Sequence, residues 1–423
     1  MLGQHLGDLS GPGRAPALDG DGQARHLAAL AAWRRRTPDE RRLAFGDDDA
    51  AFQPAIEPAR GRVRVGLFCP CLGLGGAEAW QLSLARAVDP GRIAWRGAVV
   101  TEGRQGVAPA MLGALAGRMP VGFGLGAARA LARACDVIVS WSVLDYRALF
   151  RGMDPPPRVA LACHFPGERP WSAAAEEWLG RVDRRVAVSE LALDSLPGRL
   201  RAGTRVIWNA VDDDRLAPTQ PVAATRAGWG VPEGARVIGY LGRLSPEKDP
   251  AAMLRLADEL PPPWHVVLVG DGRERPALAD AIRRRGLDRA HLVPGTGAVG
   301  DALAAFDGLV VPSRFESFGL TMAEGLRVGI PVIATRSGLA RLVPGLVREV
   351  GFEPSGPELA RAVRLDHEAD RPATRDRVLR ARVFAADRLD LSRFGREWTN
   401  LIVDLARSGR AVPSEEGTCL AMT

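Results

Sequence analysis

Tyrosine is nearly missing from this 423-residue chain, with 2 residues, and aromatics together reach only 6%. Those that occur are not interleaved with the arginines and no nucleic-acid motif accompanies them. Nucleic acid is therefore not the expected partner, although the formal charge is +6. Cysteine is scarce and odd in number. Cys69, Cys71, Cys135, Cys163 and Cys419 form no even, regularly spaced framework, which sets aside a disulfide-stapled secreted scaffold and fits a reducing compartment. The "CPC" pair has no second pair beside it, so buried thiols at a strand end are expected rather than a metal site. Long apolar runs are absent too: no window approaches the roughly 18 residues of a membrane-spanning helix, and the N-terminus has no apolar signal core. A cytoplasmic location is expected. The basic balance reflects either an arginine-rich composition or peripheral contact with an anionic membrane or phosphorylated ligand; flotation with anionic liposomes at low salt tests the membrane contact. No fixed-period repeat occurs.

The residues that are present describe a soluble globular chain, 46% hydrophobic and 25% charged, whose length favours two domains or more. Residues 1–60 mix Gly, Pro and blocks of charge and read as a flexible or partly helical extension, with a short helix from Gln23 to Arg36. From Arg62 onward, short β-branched runs alternate with Ala-, Leu- and Arg-rich helical patterns: "RVRVGLFCP", "AVVT", "DVIVSW", "RVALACH", "RRVAVS" and "RVIWNAV". That alternation is the mark of βα units around a parallel sheet. A Pro- and Thr-containing stretch interrupts it, and it restarts with "RVIGYLGR", "HVVLVGDG", "AHLVPG", "GLVVPS" and "PVIAT". The expected architecture is α/β: two doubly wound, Rossmann-like domains facing a cleft, over 61–215 and 216–390, then a C-terminal helix at 391–410 and a tail at 411–423.

Ligands of open α/β sheets bind at the carboxyl ends of the strands, so the loops there carry the candidates. In "GLVVPSRFESFGLTMAEGLRVGIPVIAT" a strand, a loop, a helix and a strand follow one another. The helix is expected to begin near Ser317, leaving the N–H groups of Phe318, Gly319 and Leu320 free for a phosphate, with Gly319 allowing close approach. Glu316 stands at that mouth and Glu324 about two turns further in, where carboxylates accept hydrogen bonds from sugar and ribose hydroxyls. The alternative on local sequence is a favourable N-terminal charge at Glu316 and a solvated helix residue at Glu324. In "YLGRLSPEKDP" Arg243 and Lys248 can converge on one pyrophosphate, or mark only a surface turn. Gly272 lies in a Gly-Asp-Gly turn after a strand. In the first domain, Gly75 and Gly76 of "GLGGAE" can admit a phosphate or a sugar to a helix start, and the lack of G-x-G-x-x-G argues against a dinucleotide oxidoreductase. His164, at a strand end, can bind a substrate hydroxyl, carry a proton or be structural.

Together these motifs resemble the retaining glycosyltransferases of family 4, which have the GT-B fold. The residues that carry the resemblance are "GLGGAEAW", "VAVSE", "WNAVDDDRL", "YLGRLSPEKDP", "VLVGDGRERPAL" and the E-x7-E element of Glu316 and Glu324 with its following G-x-P-V entry, in family order from about Arg62 to Arg407. The resemblance implies a nucleotide sugar bound by the second domain, with Glu324 on the ribose and Glu316 near the transferred sugar. It also implies Arg243 and Lys248 on the departing diphosphate in place of a metal, Gly75, Gly76 and His164 serving from the first domain, and a final helix crossing back onto that domain. It further implies retention of anomeric configuration, no cofactor beyond a UDP- or GDP-sugar co-substrate, and a glycan, lipid-linked or small-molecule acceptor. The chain departs from the family pattern at Arg341, at Trp208-Asn209-Ala210 and at Gly325, the last expected to weaken its helix by about 1 kcal/mol relative to Ala. The rival functions are a GT-B-like sugar-nucleotide epimerase and a non-catalytic nucleotide-sugar-binding protein.

Overall fold

The computed structural model describes residues 52–56, 58–104, 107–164 and 173–408; the helix expected at Gln23–Arg36 and the C-terminal tail lie outside them. The first apolar runs form a seven-stranded sheet: β1 (Val63–Cys69), β2 (Ile93–Val100), β3 (Val121–Phe123), β4 (Val137–Ser140), β5 (Arg158–Cys163), β6 (Arg184–Ala187) and β7 (Arg205–Val206), in the order β3-β2-β1-β4-β5-β6-β7. The second set forms a six-stranded sheet: β8 (Arg236–Leu241), β9 (Trp264–Val269), β10 (Ala290–Val293), β11 (Gly308–Val311), β12 (Val332–Thr335) and β13 (Arg348–Val350), in the order β10-β9-β8-β11-β12-β13. Neighbouring strands pair in parallel throughout. Parallel strands are covered on both faces, and so each central strand is a near-continuous apolar run instead of an alternating one. Strands β3 and β13 are three-residue additions that sequence reading does not pick out, being too short to show a pattern.

In each sheet the strand order reverses between two neighbours, β1 and β4 in the first and β8 and β11 in the second. Doubly wound sheets place their ligands outside the carboxyl ends of such a pair. The glycine-rich loop follows β1, the Arg243–Lys248 loop follows β8, and the Glu316 loop follows β11. Topology alone thus gathers these motifs onto two facing edges.

Four helices support these edges and join the domains: α1 (Gly76–Ala87), α2 (Leu320–Val328), α3 (Arg371–Arg388) and α4 (Leu391–Arg407). Helix α3 packs on α2 in the second domain, whereas α4 leaves it and packs on α1, β1, β4 and β5. The reason is compositional. Phe394, Trp398, Leu401, Ile402 and Leu405 fall on one face of α4, and all five are buried in the first domain's core with Val65, Leu67, Trp80 and Leu84. Gly395 allows this closeness, because a side chain there would strike the carbonyl of Ala87. The two chain crossings between the domains are bonded to each other: Val211 donates its N–H to the Leu389 carbonyl at 2.9 Å, and Arg393 donates to the Trp208 carbonyl at 2.8 Å. Among the described residues no helix is long and apolar enough to cross a membrane.

Candidate active site

After β8 the chain turns through Arg243 into a short 3-10 turn, Pro246–Lys248. Arg243 is exposed, while its carbonyl is held by the Tyr240 hydroxyl at 2.6 Å. Two further loops lock the turn. Leu244 donates its N–H to Asp271 at 2.9 Å, and Arg314 donates its own to the Glu247 carbonyl at 2.9 Å. Gly272 belongs to this scaffold: at φ +155° its Cα faces the Leu244 backbone so closely that any side chain would overlap it. Loop packing accounts for this glycine without a ligand.

The structure brings Lys248 and Glu316 together. Lys248 Nζ lies 2.7 Å from Glu316 Oε1, and the Ser313 hydroxyl donates to the same oxygen at 2.8 Å. The lysine charge is therefore already shared with a carboxylate, and an arriving diphosphate would compete for it. Behind Glu316, the Leu339 N–H bonds the Phe318 carbonyl at 2.8 Å, and Gly338 at φ +51° leaves the room a Cβ would take from that carbonyl.

Helix α2 starts at Leu320, three residues later than the sequence led us to expect, with Gly319 as its N-cap at φ 88°. Gly319 is suited to this left-handed entry because it has no Cβ. The first intrahelical bond runs from Ala323 N to Gly319 O, at 3.0 Å, so the N–H groups free of intrahelical partners are those of Gly319 to Met322 instead of Phe318 to Leu320. The Phe318 ring points the other way, 2% exposed in the second core and edge-on to Trp208 at 6.0 Å. Ser317 is a contact between domains: its hydroxyl donates to the His164 carbonyl at 3.4 Å, and its carbonyl accepts from the Ser189 hydroxyl.

Glu324 is not a solvated helix residue. It is 3% exposed, and burial pushes its carboxyl up from the usual range while Arg215 opposes that rise. Arg215 comes from the interdomain linker, in the short helix Asp213–Leu216; its Nε lies 3.1 Å from Glu324 Oε1 but out of line for a hydrogen bond. Gly325 has a packing reason as well. A Cβ there would sit 2.7 Å from Leu309 Cδ2 and 3.0 Å from Val332 Cγ2, so helix α2 approaches β11 and β12 only because this residue is glycine.

On the facing edge, Gly75 caps α1 in an extended conformation, and the Glu78 carboxylate folds over it, in the space a side chain on Gly75 would need. A carboxylate thus stands at this helix start, and of the phosphate or sugar expected there it favours the hydroxyl groups of a sugar. A Cβ on Gly76 would lie 3.8 Å from Leu320 Cβ, so the glycine-rich loop meets the start of α2 across the cleft. Two more contacts bridge the same gap: Leu74 Cδ1 is 3.5 Å, and Ala110 Cβ 3.4 Å, from where side chains on Gly295 and Gly297 would begin.

His164 lies edge-on to Trp80 at 5.0 Å and to Trp141 at 6.1 Å. Its surface is half-buried, but Nε2 is enclosed with no partner among the described residues. Burial lowers the imidazole to about 3, which makes it neutral at ordinary pH. Of the roles open to it, hydrogen bonding fits the enclosed, unpartnered Nε2. Among the described residues no cluster of three or more His, Cys, Asp or Glu could hold a metal. The "DDD" at 212–214 is spent on arginines: Asp212 and Asp214 on Arg86, and Asp213 on Arg327. Sequence reading missed Arg215, Glu78 and Ser189; only the charge run "DDDR" signalled the first.

The chain resembles known proteins in sequence and in fold. Residues 222–343 match the family described as glycosyl transferases group 1. The chain is similar to the GDP-mannose-dependent alpha-mannosyltransferase of Mycolicibacterium smegmatis, 30% identical over 43% of this chain and 50% of that one. It is also similar to the D-inositol 3-phosphate glycosyltransferase of Saccharomonospora viridis, 33% identical over 45% of this chain and 46% of that one. The matched region thus spans about half the length of these relatives. Among solved structures, Anabaena HepE in complex with UDP-glucose superposes with a TM-score of 0.69 at 21% identity, covering 81% of this chain and all of that one. The chain thus has the two-domain GT-B fold, with a segment of its second domain similar to the glycosyl transferases group 1 family.

Proposed function

We propose that the protein is a glycosyltransferase that moves a sugar from a nucleotide-sugar donor to a glycan, lipid-linked or small-molecule acceptor, with retention of anomeric configuration and without a metal. One observation carries this reading: the Lys248–Glu316 pair, 2.7 Å apart, stands at the free amides of α2, opposite the glycine-rich loop of the other domain. Breaking the bond between the anomeric carbon and phosphate builds negative charge on the departing diphosphate. Lys248, exposed Arg243 and the amides of Gly319 to Met322 are preorganised to oppose that charge. Glu316 accepts from hydroxyls of the transferred sugar and Glu324 from those of the ribose. The donor is a UDP- or GDP-sugar in this reading, and the GDP-mannose dependence of the similar mannosyltransferase supports the second.

A thermal-shift panel of UDP-, GDP- and ADP-sugars on the wild type and on Glu324→Ala tests the donor site. A ligand at a hundred times its dissociation constant adds about 2.7 kcal/mol to native stability. One nucleotide series should stabilise the wild type and lose most of its effect in the variant, and that series then enters a turnover assay with and without EDTA. No stabilisation by any member would sink the reading.

A further inference from the structure

The interdomain linker presents four consecutive charged residues, and they engage both domains. Arg86, near the end of α1 in the first domain, pairs with Asp212 at 2.7 Å and also with Asp214. Arg327, near the end of α2 in the second, forks onto Asp213 at 2.7 and 2.5 Å. The fourth residue, Arg215, turns from the linker to Glu324, 3.1 Å away. This is a single cation reaching a carboxylate that is 3% exposed. The charged groups that face Glu324 are Arg215, which favours its ionised form, and Asp212, which disfavours it.

Resting on the donor-site reading of Glu324, we propose that Arg215 is a positioning residue: it holds the Glu324 carboxylate for the donor's hydroxyls and so ties donor recognition to the linker between the domains. Glu324 needs such a residue because burial works against its charge, and a protonated carboxyl gives up part of its accepting capacity by turning one oxygen into a donor. Without Arg215, burial and the like charge of Asp212 both push toward the neutral form. Donor binding would then fail at a higher pH than in the wild type.

The test is a calorimetric titration of the full chain with the nucleotide sugars of the stabilising series, UDP-glucose or GDP-mannose among them, at a series of pH values from neutral downward. Wild type, Arg215→Gln, Glu324→Gln and the double variant are compared. We expect Arg215→Gln to bind more weakly as the pH falls, with the acid limb of the profile moved upward; well below that limb, a rise of one pKa unit would cost about tenfold in affinity. Adding Arg215→Gln to Glu324→Gln should change nothing further, because the residue acts through the carboxylate. The double variant buries no lone charge, so this arm holds even if Arg215→Gln alone fails to fold. Unchanged affinity and an unchanged acid limb in Arg215→Gln overturn the proposal, and so does a further loss in the double variant. Wild-type protein that binds no member of the nucleotide-sugar panel overturns the donor reading itself, and is told apart because the failure precedes any substitution.

Discussion

Lys248 and His164 show how far the setting of a residue decides its role. Lys248 is a half-buried cation already beside Glu316, and replacing it by Met should lower kcat about 10²- to 10³-fold, the effect of removing one preorganised stabiliser of developing charge, with donor affinity less affected; steady-state kinetics on the donor identified by the panel check this. His164 bears on stability. Its folded value of about 3 lies below the unfolded value of about 6.5, so the unfolded chain takes up the proton first as the solution is acidified. The stability this implies is fully present above about pH 6.5 and declines by up to about 1.4 kcal/mol per pH unit as the pH falls toward the folded value. Urea unfolding of His164→Phe should give a flatter profile between about pH 6 and pH 4, and an unchanged slope would count against the burial argument. The candidate site was legible where chemistry and position coincide in the sequence: Glu316 and Lys248 stand in loops after switch-point strands. Arg215 and Glu78 were not, since each acts through a partner that only folding supplies.

Helix α2 shows the same division at the scale of an element. Its existence could be read from "FGLTMAEGLRVG", with apolar residues at helical spacing and Gly329 at its end, but its first residue could not, because the left-handed entry at Gly319 leaves no periodic trace. Gly325 is the sharper case. Propensity alone says that alanine there would strengthen the helix by about 1 kcal/mol. Packing says the opposite: the new methyl would meet Leu309 and Val332 at 2.7 and 3.0 Å, and overpacking of this kind costs about 1–3 kcal/mol. Gly325→Ala is therefore expected to lower the unfolding midpoint, and thermal melts decide between the two signs. The strands divide likewise. Runs such as "VIVS" and "HVVLV" announce themselves by β-branched composition, whereas β3 and β13 take their strand character from the neighbour they extend.

At the scale of the whole molecule, the two sheets, their parallel sense and the restart of the pattern after the linker were readable, since doubly wound domains repeat one local rule. How the domains meet was not, because the contacts between them involve single residues far apart in sequence. Helix α4 follows the second domain in sequence yet completes the core of the first. Trp398 is fully buried there, edge-on to Trp80 at 5.4 Å, and Trp398→Ala should cost about 3–5 kcal/mol. The loss should fall on the first domain, which hydrogen exchange can localise to β1, β4 and α1; uniform deprotection of both domains would contradict that placement.

At three points the glycine-rich loop and its neighbours approach the second domain so closely that one added methyl would make contact: Gly76 with Leu320, Leu74 with Gly295 and Ala110 with Gly297. A molecule held between the two edges therefore draws on both domains at once, and its binding adds to what keeps them together.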